Sequence, residues 1–285
     1  LYKAGLEQFD NNISMVIDKY QAAGIPVFIS SIASNLVDQP PFSSNNKTDN
    51  TSASFYYEKG MKLIAQEDFQ KAKKAFIKAR DYDLLRFRAP SAINDVIKKL
   101  TEKESIYFVD ANQALMQAEE HGIIGKKLML EHLHPTIKGY FVIADSFYKG
   151  LEESNIFGKF PHTIQTSTAE DDMPVFDAEI YWGKAKIAGL MADYPFSEKP
   201  QKIELPIVKT ANDRLGLAAY KSQIGWLTIA TENLNYGDKN DKALYLKSAK
   251  LIADAMPFNA KHNYRAGVAL IQAKKFIQAP RYLKR

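Results

Sequence analysis

The chain has 285 residues, 46% hydrophobic and 25% charged, enough to bury a core and to form two domains. It contains no cysteine, which excludes disulfides, thiolate metal sites and a cysteine nucleophile but leaves the redox compartment open. Its net charge of +5 comes from lysines interspersed with acids, so nucleic acid is not an expected partner, and no apolar run approaches the ~20 residues that cross a bilayer.

The sequence opens on Leu1, enters a helical pattern at once, and ends in another over residues 279–285 with no signal peptide at its start. It is expected to be a fragment of a longer protein. Over residues 6–20 the apolar positions Leu6, Phe9, Ile13, Val16, Ile17 and Tyr20 form one helical stripe, closed by Gly24. I-P-V-F-I (residues 25–29) then has the composition of a buried parallel strand. S-S-I-A-S-N-L-V-D-Q-P-P-F follows, leading into a Ser/Asn/Thr/Asp-rich loop over residues 43–54. Asn46-Lys47-Thr48 and Asn50-Thr51-Ser52 in that loop fit the glycosylation pattern, read here as chance occurrences.

Residues 54–83 carry Tyr56, Gly60, Ala72, Phe76 and Ala79 at the spacings of a tetratricopeptide repeat, in which small residues let two antiparallel helices approach closely. D-Y-D-L-L-R-F-R-A-P leads to a helix over residues 91–100 with Ile93, Val96, Ile97 and Leu100 on its apolar face. S-I-Y-F-V-D (residues 105–110) is a second buried-type strand ending in an acid, and a short helix spans residues 111–119.

Polar chemistry then concentrates in L-M-L-E-H-L-H-P-T-I-K-G-Y-F, residues 128–141. Glu131 stands three residues before His134, and Pro135 follows at once. Pro135 is expected to be the first helical residue, which puts His134 at the helix cap. There the helix dipole disfavours an imidazolium and the carboxylate favours it, an arrangement suited to a general base. His132 reads as a loop residue. The H-L-H pair lacks a third ligand at convincing spacing, so neither a metal nor another cofactor is expected.

Beyond residue 155 a polar linker is expected to reach residue 172. An amphipathic helix then carries Phe176, Ile180, Ile187 and Met191, a long helix spans residues 211–234 with Trp226 inside it, and another spans 242–255 after a turn lengthened by Y-G-D-K-N-D. Gly267 and Ala279 repeat the separation of Gly60 and Ala72, with Leu283 where Phe76 stood, so the tail resembles a tetratricopeptide repeat as well. Tyr140, Phe147 and Trp226 are read as core residues.

Taken together, I-P-V-F-I, S-N-L-V-D-Q-P-P-F, the inserted repeat, A-R-D-Y-D-L-L-R-F-R-A, Y-F-V-D and E-H-L-H-P-T-I-K-G-Y resemble the later part of an SGNH (GDSL-type) hydrolase carrying a tetratricopeptide insertion. The resemblance covers about residues 1–155. It implies an α/β fold, the later strands of a flavodoxin-like α/β/α sandwich, alongside all-α tetratricopeptide-like helices. The domains expected are 1–52 and 86–155 for the hydrolase-like part, 53–85 for the inserted hairpin, and 156–285 for the C-terminal helical domain. It also implies a catalytic base, His134, and an orienting acid, Glu131, which here replaces the family's aspartate. Asp110, at a strand's C-terminal end, is the alternative acid. The family's nucleophilic serine and oxyanion donors belong to blocks preceding those matched. Ser34 and Asn35 match a later segment and are read as a substrate-side loop or a plain turn. The function implied is ester hydrolysis or acyl transfer by a Ser-His-acid mechanism with the serine outside this chain, in the bacterial cell envelope or periplasm. The alternative is an inactive hydrolase-like scaffold whose repeats bind a protein partner.

Overall fold

The structure, a computed structural model, describes residues 1–45, 50–160 and 164–285. The first sequon, Asn46-Lys47-Thr48, falls outside them. The chain divides into two compact units, residues 1–166 and 167–285. No helix among the described residues is long and apolar enough to cross a membrane.

In the first unit, the stripe over residues 6–20 becomes helix α1 (Tyr2–Ala22), and Gly24 reverses the chain with φ +67°, a conformation that suits a residue lacking Cβ. Strand β1 (Val27–Ser30) follows. Helices α2 (Ala53–Ala65) and α3 (Phe69–Asp81) form an antiparallel hairpin, each with a side-chain cap: Ser52 accepts from the Phe55 amide and Asp68 from the Lys71 amide. Gly60 of α2 leaves room for the Phe76 ring of α3, since a Cβ there would lie 2.7 Å from Phe76 Cε1. Helix α4 (Ser91–Leu100), strand β2 (Ile106–Val109), helix α5 (Ala111–Gln117) and helix α6 (Ile137–Ser154) complete the unit. β1 and β2 pair in parallel, with Val27 opposite Ile106 and Ser30 opposite Val109. Ile17 of α1, Leu100 of α4 and Ile106 of β2 pack on this pair.

The α/β/α sandwich expected from the resemblance is not what the chain forms. Of the described residues 57% are helix and 4% strand, and the sheet they form has two strands of four residues each. The reason lies in where the apolar surface is buried. The larger core of this unit joins Ala72 and Phe76 of the hairpin to Leu36, Leu115, Ile124, Leu128 and Met129, so helix and loop residues, not a sheet face, organise it.

A second correction concerns the start of α6. Its N-cap is Thr136, whose hydroxyl accepts from the Gly139 amide at 3.1 Å, so Pro135 is not helical and His134 is not the cap. Instead Pro135 forms an antiparallel bridge with Met129, fixed by Leu130 N–H to His134 O at 2.7 Å and Thr136 N–H to Leu128 O at 2.8 Å. His134 is therefore carried by extended backbone that doubles back on residues 128–130, and the helix-dipole argument does not apply to it.

The second unit is helical among its described residues. After the short α7 (Thr166–Asp171), which straddles the division, come α8 (Asp177–Met191), α9 (Ala211–Tyr220), α10 (Trp226–Asn240), α11 (Lys242–Ala255), α12 (Ala260–Gln272) and α13 (Pro280–Leu283). The single helix expected over residues 211–234 is two, because Ser222 turns the chain at φ 57° and Gly225 caps α10. The lengthened turn expected at 236–241 is helix up to Asn240. Asp241 alone makes the reversal, accepting from the Ala243 and Leu244 amides at 3.0 and 3.1 Å, and Gly237 leaves room for the Tyr245 backbone, whose Cα would lie 2.8 Å from a Cβ. In the tail, Gly267 packs against the Leu283 side chain as Gly60 packs against Phe76. Ile229, Ala230, Ala253, Ala266 and Leu270 form the shared core.

Candidate active site

Two irregular segments, residues 31–40 and 123–136, are joined side by side. Asn35 N–H donates to His132 O at 3.0 Å, Leu36 N–H to Ile124 O at 2.8 Å, and Lys126 N–H to an Asp38 carboxylate oxygen at 2.7 Å. The α2–α3 hairpin packs on this pair through Phe76 and Ala72. Apolar residues on both sides of Glu131-His132-Leu133-His134 (Leu128 and Met129 before, Phe141 after) are buried and anchor the segment.

Glu131 folds back on its own loop. Its carboxylate accepts from the His132 amide at 2.7 Å, the His134 amide at 2.7 Å and the Leu133 amide at 3.4 Å, so a fully buried carboxylate keeps its hydrogen bonds. His134 Nδ1 lies 2.5 Å from Glu131 Oε1. An ionised carboxylate only accepts, which puts the proton on Nδ1 and leaves a lone pair on Nε2 at the ring's opposite edge. The His134 side chain is 48% exposed while that of Glu131 is 0% exposed, so the carboxylate is sheltered and the imidazole can be reached.

His132, expected from the sequence to be a loop residue, is buried beside the same carboxylate. His132 is 7% exposed, and its Nδ1 contacts the other oxygen of the same carboxylate, Glu131 Oε2. Its ring meets Phe42 edge-on at 5.3 Å between centroids and Phe87 at 6.1 Å. Burial first, then the neighbouring His134 and the Arg88 guanidinium, push its pKa down to about 4, which keeps the ring neutral near pH 7.

Behind this cage lies a buried ion pair. The Arg88 guanidinium donates to Asp83 at 3.2 Å, to Asn35 O at 3.0 Å and to Gln39 O at 2.8 Å. Asp83 accepts from the amides of Phe42 (2.9 Å), Ser43 (3.0 Å) and Leu85 (3.1 Å). Desolvation lowers the Arg88 pKa, and Asp83 opposes that shift. One pair thus fixes both loops that supply the aromatic edges around His132. In the sequence, D-Y-D-L-L-R-F-R-A offered only a resemblance; the alternation Arg86-Phe87-Arg88, which sends one arginine outward and one inward, was its physical signal.

The other residues singled out from sequence lie elsewhere. Asp110 caps α5 through the Gln113 amide at 3.0 Å and accepts from the Ser31 hydroxyl at 2.8 Å; it makes no hydrogen bond to His134. Ser34 and Asn35 are buried, and Asn35 serves a turn by accepting from the Asp38 amide at 3.0 Å. The Ser34 hydroxyl has no hydrogen-bond partner among the described residues. No group of three or more His, Asp or Glu among the described residues is arranged to hold a metal ion. Comparison with family models, curated proteins and solved structures gives no match.

Proposed function

We propose that this chain carries the acid–base half of a serine-type acyl-ester hydrolase or acyltransferase site, with His134 as general base and Glu131 as the carboxylate that orients it. The observation that carries the reading is the 2.5 Å contact between His134 Nδ1 and the buried Glu131, with the ring half-exposed on its other side. This is the acid–imidazole geometry that a Ser-His-acid mechanism needs. The likeness of E-H-L-H-P to the SGNH catalytic segment agrees with it. Among the described residues no hydroxyl hydrogen-bonds the His134 ring, so the proposal assigns the nucleophile to a serine outside this chain.

In this scheme the serine O–H proton passes to Nε2 as its oxygen attacks the acyl carbon. Glu131 stabilises the imidazolium, which then protonates the departing alcohol. Water, or a second alcohol in acyl transfer, repeats the sequence and frees the serine. The helical hairpin of the first unit and the helices of the second would engage a protein partner. The test is labelling of the protein that contains both this chain and the serine with a fluorophosphonate, which reacts with activated serines. Wild type is expected to label, His134→Ala to lose labelling, and this chain alone to remain unlabelled. Equal labelling of His134→Ala would overturn the assignment, and no labelling of wild type would favour the scaffold reading.

A further inference from the structure

We propose that the apolar cavity at the carboxyl end of β1 is the subsite for the acyl chain of the ester, which makes esters of medium-length aliphatic acids the substrate class. The inference deepens the general-base reading above and rests on it. The cavity measures about 520 Å³ and is walled by Leu6 and Phe9 of α1, Ile32 just past β1, Phe87, and Ile93 in the first turn of α4. Pockets for small organic ligands run from about 300 to 1,000 Å³. Gly5 lies in the same wall, and a Cβ there would meet nothing within 4 Å, so α1 is bare where it borders the space. Ile32, Leu84 and Phe87, all in the lining, are 40, 55 and 47% exposed, which leaves a concentration of apolar surface open to a ligand.

Position relative to His134 selects the occupant. Phe87 lines the cavity, and its ring also meets that of His132 at 6.1 Å between centroids; the His132 ring stands 6.4 Å from that of His134. An extended eight-carbon chain is about 10 Å long at C–C bonds of about 1.5 Å, the reach needed to run from an acyl carbon beside His134 into the cavity. The segment leaving β1 joins the two places as well. Ile32 lines the cavity, and the same segment continues to Asn35, whose N–H donates to His132 O at 3.0 Å. The Ile32 wall is held in place, since its N–H donates to Asn94 Oδ1 at 2.7 Å and its carbonyl accepts from Asn94 Nδ2 at 2.9 Å. In parallel sheets ligands gather at the carboxyl ends of the strands, which is where this cavity opens. The Arg86 guanidinium lies over the Tyr2 ring, 4.2 Å from its centroid, and the rest of the lining among the described residues carries no polar side chain.

The test compares p-nitrophenyl acetate and p-nitrophenyl octanoate as substrates of the protein that joins this chain to its serine. Gly5→Phe is the variant, because its ring enters the cavity without displacing a neighbour and phenylalanine is the better helix former. Each methylene buried is worth about fourfold, so wild-type kcat/KM for the octanoate is expected to exceed that for the acetate at least about tenfold. Gly5→Phe is expected to abolish this preference and to keep acetate turnover within about twofold. Equal use of the two esters by wild type, the result if another segment of the protein fills the cavity, would overturn the proposal. So would a preference that survives in folded Gly5→Phe. A second measurement needs no turnover: sodium octanoate added to this chain is expected to shift the methyl NMR signals of Ile32 and Ile93 in wild type and not in Gly5→Phe. Shifts absent from wild type, or equal in both proteins, would overturn the subsite even where His134→Ala abolishes labelling. Octanoate binding by a protein that the fluorophosphonate leaves unlabelled would instead sink the general-base reading, and with it the assignment of the alkyl group to a substrate.

Discussion

Lowering the pH from 7 to 5 should destabilise the first unit by about 2 kcal/mol through His132 alone. In the unfolded chain its imidazole has the ordinary value of 6.5, whereas burial, His134 and Arg88 bring it to about 4 in the fold. A depressed folded value means that the unfolded chain takes up the proton first. The stabilisation is therefore fully present above about pH 6.5 and is lost as the pH falls toward 4. At about 1.4 kcal/mol per pH unit the whole window amounts to roughly 3 kcal/mol, of which about two-thirds is spent by pH 5. Other groups also titrate over this range, so the comparison must be with His132→Asn, which keeps an N–H donor but cannot ionise. Both tryptophans, Trp182 and Trp226, lie in the second unit. Urea titrations should therefore be read by the ring signals of His121, in the first unit. Wild type should lose about 2 kcal/mol more than the variant between pH 7 and 5. Parallel pH dependence in the two proteins would refute the claim that His132 is buried and neutral.

Three further outcomes follow from the packing. Arg88→Met leaves Asp83 buried without its cation and should cost about 3–5 kcal/mol in urea unfolding of the first unit, with a much smaller loss counting against the buried pair. Gly60→Ala drives a methyl against the Phe76 ring, 2.7 Å from Cε1 before relaxation, and should lower stability by about 1–3 kcal/mol despite alanine's better helix propensity. Asp241→Ala removes the cap from two α11 amides and should cost about 1 kcal/mol in the second unit, measured by tryptophan fluorescence during denaturation.

Local structure was legible where a single periodic face or a small-residue spacing decided it. Helix α1, the α4 stripe, and the Gly60 and Gly267 positions of the two close helix contacts are legible in the sequence, although Val16 and Tyr20 of the α1 stripe are exposed and only Ile17 is buried. Class was not legible, because I-P-V-F-I and S-I-Y-F-V-D look like strands of a larger sheet while the apolar surface around them is covered mainly by helices and loops. Termini of helices misled where two caps competed. Pro135 invited a helix start, yet the Thr136 hydroxyl one residue on makes the cap, and Ser222 with Gly225 broke what periodicity read as one helix. At the site, Glu131 and His134 were visible because their spacing is local. His132 was passed over because its burial depends on Phe42, Phe87 and Arg88, residues tens of positions away whose convergence no local pattern encodes.

The central claim, that Glu131 and His134 form a working general-base pair, is tested most directly by ester turnover in the protein that joins this chain to its nucleophile. Circular dichroism should first show that His134→Ala and Glu131→Gln are folded. The kcat for a p-nitrophenyl ester is expected to fall by at least about 10³-fold in His134→Ala and by a smaller factor in Glu131→Gln, with KM little changed. Wild-type turnover by a folded His134→Ala protein would contradict it.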